Sequence, residues 1–237
     1  MRFTSALCAL AALGLSSLAA AAKRDQAKII EAVHGKSTTC PTSEPECRTA
    51  AQAAPFIFKA FRTYKITCPS ERAAVTAIAD FESGGYRWKR NLNQTNSPGQ
   101  GTSNMQGAYF NFLYARSVPE LASKLPDWAT KLPANITYGE YMGAKGAPGA
   151  ANAEQRIALL DILVEDEYNF ASPSWFMAEQ CTKATRNLLR RDPDAGWAEY
   201  NKKCVGVDGT LPDRKAFWDR AKVAFGVKGA SSSPNDV

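Results

Sequence analysis

Apolar residues recur at helical spacing along most of the chain, and the alternation expected of half-buried strands is scarce. Residues 47–64 set Ala51, Ala54, Phe58 and Phe61 on one face, with Ile57 and Tyr64 beside them. Residues 69–82 open with Pro69 and Glu71, which suit a first helical turn, and carry the stripe Ala74, Ile78, Phe81. That helix must stop at Gly84-Gly85. Residues 86–104 are polar, rich in Asn, Gly, Gln and Ser, and read as a long loop with room for a short hairpin. Residues 105–115 then predict a buried helix, and residues 126–150 a loop-rich stretch. Residues 153–167 are helical through Ile157, Leu159, Leu160, Leu163 and Val164. Ser172-Pro173 reads as the N-cap and first turn of a helix running to Leu189. Helices over 193–202 and 212–225 contribute Trp197 and Trp218 to the core. The pattern predicts a mainly α fold, all-helical or with one small β-hairpin, in a single domain over residues 40–228. Residues 23–39 read as a flexible N-terminal segment and residues 229–237 as a flexible tail.

Composition adds a compartment. The chain has 237 residues, 45% of them apolar, enough for one sizeable core. Residues 1–22 read as a secretory signal peptide: Arg2, an apolar stretch from Ala6 to Leu18, then Ala19 to Ala22. That stretch is short for a membrane span, so the expected product is secreted and extracellular, with no membrane anchor. The formal charge is +6, and removal of Arg2 with the leader leaves +5. Cys40, Cys47, Cys68, Cys181 and Cys204 remain, and export favours disulfides. Cys40–Cys47 and Cys181–Cys204 are the preferred pairs, leaving Cys68 free and buried; Cys68 pairing with Cys40 or Cys47 stays open. Asn93-Gln94-Thr95 and Asn135-Ile136-Thr137 are glycosylation acceptor motifs, so a glycoprotein is expected.

Candidate chemistry is narrow. His34 is the single histidine, which excludes His-rich zinc sites and leaves any Ser-His-Asp triad or Cys68 nucleophile dependent on that one residue. The cysteines form no CxxC pair, and no EF-hand, P-loop or dinucleotide fingerprint is present. No metal and no cofactor are expected. Carboxylates, hydroxyls and amides remain. The sharpest cluster is Glu82-Ser83-Gly84-Gly85 followed by Gln100 to Gln106. Glu82 ends an apolar helix at the rim of a polar loop. Apolar neighbours and the negative end of the helix dipole favour its protonated form, whereas Arg87, Lys89 and Arg90 oppose it if close. Among the aromatics that can stack on a sugar ring, Trp88 lies in the polar loop and Tyr109 just beyond it, while Trp175 reads as core.

Phe81-Glu82-Ser83-Gly84 together with Asn104-Met105-Gln106 resembles the paired signature of the lysozyme-like superfamily, closest to the goose-type lysozymes and lytic transglycosylases. The resemblance spans Ala74 to Tyr109. It implies a lysozyme-like helical domain with Glu82 as catalytic acid, Ser83 as its structural neighbour within the substrate-binding site, and Met105 and Gln106 lining the sugar cleft. The chain is also similar to a family of secreted fungal proteins sharing a Gly-Gln-Gly-Thr-x-Asn-Met-Gln block. Two features depart from the lysozyme pattern. Asn104 stands where the family has Leu, and no Asp or Glu occurs from Ser83 through Pro119. A second carboxylate, which inverting enzymes need, must come from Asp161, Glu165, Asp166 or Glu167, or from Asp127 or Glu179.

Two functions follow as expectations. One is a secreted enzyme in which Glu82 protonates the glycosidic oxygen of a β-1,4-linked amino-sugar polymer (peptidoglycan, chitin or chitosan). Gln100, Asn104, Met105 and Gln106 would position the sugar's N-acetyl and hydroxyl groups. The alternative is a non-catalytic glycan-binding or host-interacting protein on the same fold. In both the partner is a cell-wall polysaccharide and the protein a monomer. The Arg87-Trp88-Lys89-Arg90 run mixes cations with an aromatic, yet in an exported protein it points to an anionic glycan rather than nucleic acid.

Overall fold

A computed structural model describes residues 25–36, 38–103, 106–143 and 148–228. The expected signal peptide, the tail 229–237, Asn104 and Met105 lie outside the described residues. The described chain is a helical assembly: α1 (25–34), α2 (Ala50–Thr63), α3 (Pro69–Ser83), α4 (Ala108–Ser117), α5 (Pro119–Ala122), α6 (Asp127–Thr130), α7 (Tyr138–Met142), α8 (Ala153–Asp161), α9 (Asp166–Glu179), α10 (Lys183–Arg191), α11 (Pro193–Tyr200) and α12 (Pro212–Ala224). A π-helical turn, Asn201–Val205, follows α11. The expected hairpin reduces to one antiparallel bridge between Arg90 and Gly101. Among the described residues no helix is long and apolar enough to cross a membrane.

Helix α3 is the centre. Pro69 occupies its first turn, and Ala73, Ala74, Val75, Ala77, Ile78 and Ala79 are all buried. Small side chains let α9, α10 and α12 pack directly on it. Two acidic side chains are carried into that core, and each has a partner. Glu71, fully buried, accepts from Arg186 at 2.8 Å and from Arg190 at 3.1 Å, both on α10. Asp80, also fully buried, hydrogen-bonds His34 of α1 at 3.1 Å.

The His34 contact corrects the reading of residues 23–39 as flexible. Residues 25–34 are helical, and Ile30 and Val33 are completely buried. His34 stands edge-on to Phe217, and the Arg220 guanidinium donates to the Val33 carbonyl at 2.9 Å. The sequence period was too short to show this, because only one helical turn of apolar residues faces inward.

Three other boundaries differ. The helix expected from 105 begins at Ala108. The helix expected over 153–167 ends at Asp161, and α9 starts afresh at Asp166. Pro173 lies inside α9 rather than opening a helix, and the run to Leu189 is cut at Cys181-Thr182, where Thr182 caps α10. Cys40–Cys47 and Cys181–Cys204 are disulfides, with Cα separations of 5.5 and 5.4 Å. Cys68 is free as expected, but half-buried rather than buried, with its thiol 3.2 Å from the Ser70 hydroxyl.

Burial pushes the Asp80 carboxyl up, with the His34 hydrogen bond and the His34 and Arg220 charges opposing. A raised folded-state value means the native state holds the proton more tightly than the unfolded chain does. This contribution to stability is therefore full below the ordinary Asp value of about 4 and is lost as pH rises through the folded-state value. Asp80→Asn abolishes that dependence. The stability of wild type relative to Asp80→Asn should fall with rising pH above about 4 and then level off, as read by urea unfolding between about pH 3 and pH 8. A pH-independent difference would contradict the assignment.

Candidate functional site

The C-terminus of α3 is closed by a Schellman motif. Gly85 N–H bonds the Asp80 carbonyl at 2.9 Å and Gly84 N–H the Phe81 carbonyl at 3.2 Å. Gly84 and Gly85 take φ values of 63° and 84°. Gly85 is required twice over, since a Cβ there would lie 2.4 Å from the His34 ring. Tyr86 also adopts a left-handed conformation, with φ 60°. It is held there by burial, by its ring against Phe170, and by Ser83. The Ser83 hydroxyl donates to the Ala79 carbonyl at 2.7 Å and accepts from Tyr86 N–H at 2.8 Å. Ser83 is thus the turn's internal brace: it is fully buried and does not line the cleft in which a substrate-binding role was expected of it.

Beyond the turn, the polar loop largely folds itself. Asn91 N–H bonds the Gln100 carbonyl, Thr102 N–H the Lys89 carbonyl, and the Gln94 amide donates to the carbonyls of Asn91 and Gln100. The cations expected around Glu82 are engaged elsewhere. Arg87 pairs with Glu44, and Arg90 pairs with Glu46 and Asp161. Lys89 is buried between Asp166 and the Val164 carbonyl, each at 2.5 Å. Burial pushes its ammonium down, and Asp166 opposes that. The loop is basic in sequence and largely neutralised in space.

What the loop leaves is a cleft of about 350 Å³. The end of α3 supplies Glu82; the loop supplies Asn91, Gln100, Gly101 and Thr102; Phe110 comes from α4 and Phe176 from α9. Cys204, Val205 and Val207 come from the π-helical turn and its exit, and Arg214 from α12. The Cys181–Cys204 bond therefore ties this wall to the end of α9. Glu82 is about one-third exposed, and its carboxylate lies 2.6 Å from an Arg214 guanidinium nitrogen. That nitrogen is buried and poorly aligned for a hydrogen bond, so the contact is a charge pair. The same guanidinium stacks 4.5 Å from the Phe81 ring centre.

Of the residues singled out by sequence, Glu82 and Gln100 meet in this cleft. Gln106 does not. It is fully buried, and its amide donates to the Ser172 carbonyl on α9 at 3.0 Å. Tyr109 packs against Phe110, Tyr138 and Tyr141, and its hydroxyl donates to the Ile136 carbonyl. Trp88 is half-buried under the Arg87 guanidinium and accepts at its carbonyl from the Thr102 hydroxyl. The proposed second carboxylates are also elsewhere. Asp161 and Asp166 brace the loop, Glu165 pairs with Lys124, Glu167 pairs with Lys59, and neither Asp127 nor Glu179 lines the cleft. Among the described residues Glu82 is the only carboxylate in the cleft. Arg214, Phe110 and Phe176 were missed. Nothing local marks them, because they come from three distant helices; only Cys204 carried a hint, through its pairing.

No family model matches the chain, and no solved structure matches it. It is similar to a bifunctional dioxygenase (DOX)-epoxy alcohol synthase (EAS) of Fusarium oxysporum (strain Fo5176), with 40% identity over 176 residues. That match covers 74% of this chain and 12% of the relative, so the chain spans about one-eighth of that protein's length. Among the described residues no group of three or more His, Cys, Asp and Glu side chains is placed to hold a metal ion.

Arg214→Ala removes a partly exposed ion pair and a cation–π contact, and should destabilise the protein by about 1 kcal/mol in chemical denaturation. Arg214→Lys should recover only part of this, since an ammonium cannot stack flat on Phe81.

Proposed function

We propose that the protein is a secreted, disulfide-stapled glycan-binding module, monomeric, whose Glu82–Arg214 cleft recognises a sugar unit of a cell-wall polysaccharide. The observation that carries this reading is the composition of the cleft. The amides of Asn91 and Gln100 and the hydroxyl of Thr102, whose proton is already donated to the Trp88 carbonyl, stand with the half-buried Phe110 and the buried Phe176 around a carboxylate already paired with a guanidinium. Polar groups of this kind suit sugar hydroxyls and N-acetyl groups, and aromatic rings suit pyranose C–H faces. A paired carboxylate accepts from hydroxyls without adding net charge, which favours binding over proton donation.

The 12% share of the Fusarium protein fits a module role. The dioxygenase and epoxy alcohol synthase activities belong to that longer protein, and we read the similar segment as a module joined to them. The exposed Asn93 and Asn135 suit glycosylation of an exported chain.

A second reading, a lysozyme-like glycosidase with Glu82 as general acid, is favoured by one specific fact. Glu82 lies at the end of α3 in a cleft with Gln100, where the resemblance puts a catalytic acid. One experiment separates the two. Wild type, Glu82→Gln and Arg214→Ala are incubated with insoluble peptidoglycan and chitin, and both retention and released sugar are measured. The binding reading expects retention of wild type, about tenfold weaker retention of both variants, and no released sugar. Release of reducing ends or anhydro-sugars by wild type, lost in Glu82→Gln, would replace it with the glycosidase reading. No retention and no release would overturn both.

A further inference from the structure

One wall of the Glu82 cleft is held differently from the rest. Cys204, Val205 and Val207 come from the π-helical turn Asn201–Val205 and its exit. The Asn201 carbonyl accepts from Gly206 N–H at 2.8 Å and from Val207 N–H at 3.0 Å. The Asn201 side-chain amide donates to the Trp197 carbonyl, the Trp197 indole donates to the Gly209 carbonyl, and the Thr210 hydroxyl donates to Asp208. These bonds all close within residues 197–210. Among the described residues no salt bridge ties the segment to another element. Packing aside, the wall is fastened to the junction of α9 and α10 by the Cys181–Cys204 bond.

That bond is also within reach of the cleft. Cys204 is half-buried and lines the cleft, whereas Cys181 is buried. Lys202 and Lys203 precede Cys204, are exposed, and enter no salt bridge among the described residues, so their charge draws an incoming thiolate. The Cys40–Cys47 bond differs: it closes a local loop, and neither of its cysteines lines the cleft.

We propose that Cys181–Cys204 is a redox gate on the Glu82 cleft: oxidised, it holds the π-helical wall in place for a ligand, and a dithiol that enters the cleft and reduces it opens the wall. The ligand-binding half of this rests on the glycan reading above.

The chemistry is thiol–disulfide exchange. One thiolate of the dithiol attacks the Cys204 sulfur, a mixed disulfide forms, and the Cys181 sulfur leaves as a thiolate that takes up a proton. The second thiol of the reagent then attacks its own sulfur in the mixed disulfide. The reagent leaves as a cyclic disulfide, Cys204 becomes a thiol, and two electrons have passed from the dithiol to the cysteines. Reoxidation reverses the sequence, so the gate closes again on export to an oxidising medium.

The test reads the wall and the ligand separately. Wild type is reduced with dithiothreitol and then reoxidised. Hydrogen exchange over residues 201–210 and over α3 is followed by mass spectrometry, beside retention on insoluble peptidoglycan and chitin. Reduction should speed exchange over 201–210 about tenfold, leave α3 protected, and weaken retention about tenfold, and reoxidation should restore both. Cys181→Ser/Cys204→Ser should match reduced wild type and ignore dithiothreitol over 201–210. Unchanged exchange over 201–210 on reduction, an equal rise in α3, or a wall that loosens without any loss of retention would each overturn the gate. Absence of retention by oxidised wild type would sink the glycan reading and not the gate, which the exchange over 201–210 still upholds or overturns.

Discussion

Most of α3 is buried and cannot hold an unpaired charge there, yet it brings two acids, Glu71 and Asp80, into the core. Stranding Glu71 or Asp80 in the core would cost several kcal/mol, so each dictates a neighbour. Glu71 fixes α10 through Arg186 and Arg190; Asp80 fixes α1 through His34. These partners come from opposite ends of the chain, so the packing of α3 joins the N-terminal and C-terminal parts into one body. Alanines at the contact faces permit that closeness. The position of Glu82 follows from the same constraint. It is the first acidic residue of α3 past the buried stretch, one turn-closing serine before the glycines that end the helix.

The end of α3 also explains how a polar loop comes to be braced on both sides. A left-handed Tyr86 costs about 1 kcal/mol or more, and such a residue persists only where its surroundings over-determine it. Here Ser83, Phe170 and the Arg48 N–H donated to the Tyr86 carbonyl do so. The loop then leaves α3 in one direction only. The Cys40–Cys47 segment supplies Glu44 and Glu46 to receive Arg87 and Arg90, and α9 supplies Asp166 to receive Lys89. The cleft is what remains between a braced loop and a wall stapled by Cys181–Cys204.

Much of this was legible in the sequence, and the reasons differ by feature. Helical class, the extent of α3 and its stop at Gly84-Gly85 are written in local terms: period, Pro near the start, glycine at the end. Both disulfides followed from spacing and the compartment expected of the chain. Gln100 in the cleft was found because it sits in the same loop that Glu82 faces. The failures share one cause. Arg87, Lys89 and Arg90 were read by local charge, whereas their partners lie far along the chain. Gln106 was read as a ligand contact, whereas a buried amide adjacent to a helix start serves the α9 backbone instead. Pro173 was read as a boundary because local rules put Pro first in a helix, and tertiary packing overrides that inside α9.

Charge makes the same point about function. A net charge of +6 describes the chain's field at a distance and not the surface a ligand touches. At the Glu82 cleft the nearest cation is Arg214 and it is half of an ion pair, so the site presents dipoles and rings rather than net positive charge. An anionic polymer would therefore be drawn to the protein as a whole but would meet no unpaired cation in that cleft. Which charges remain unpaired after folding is a property of the fold and is invisible in a composition.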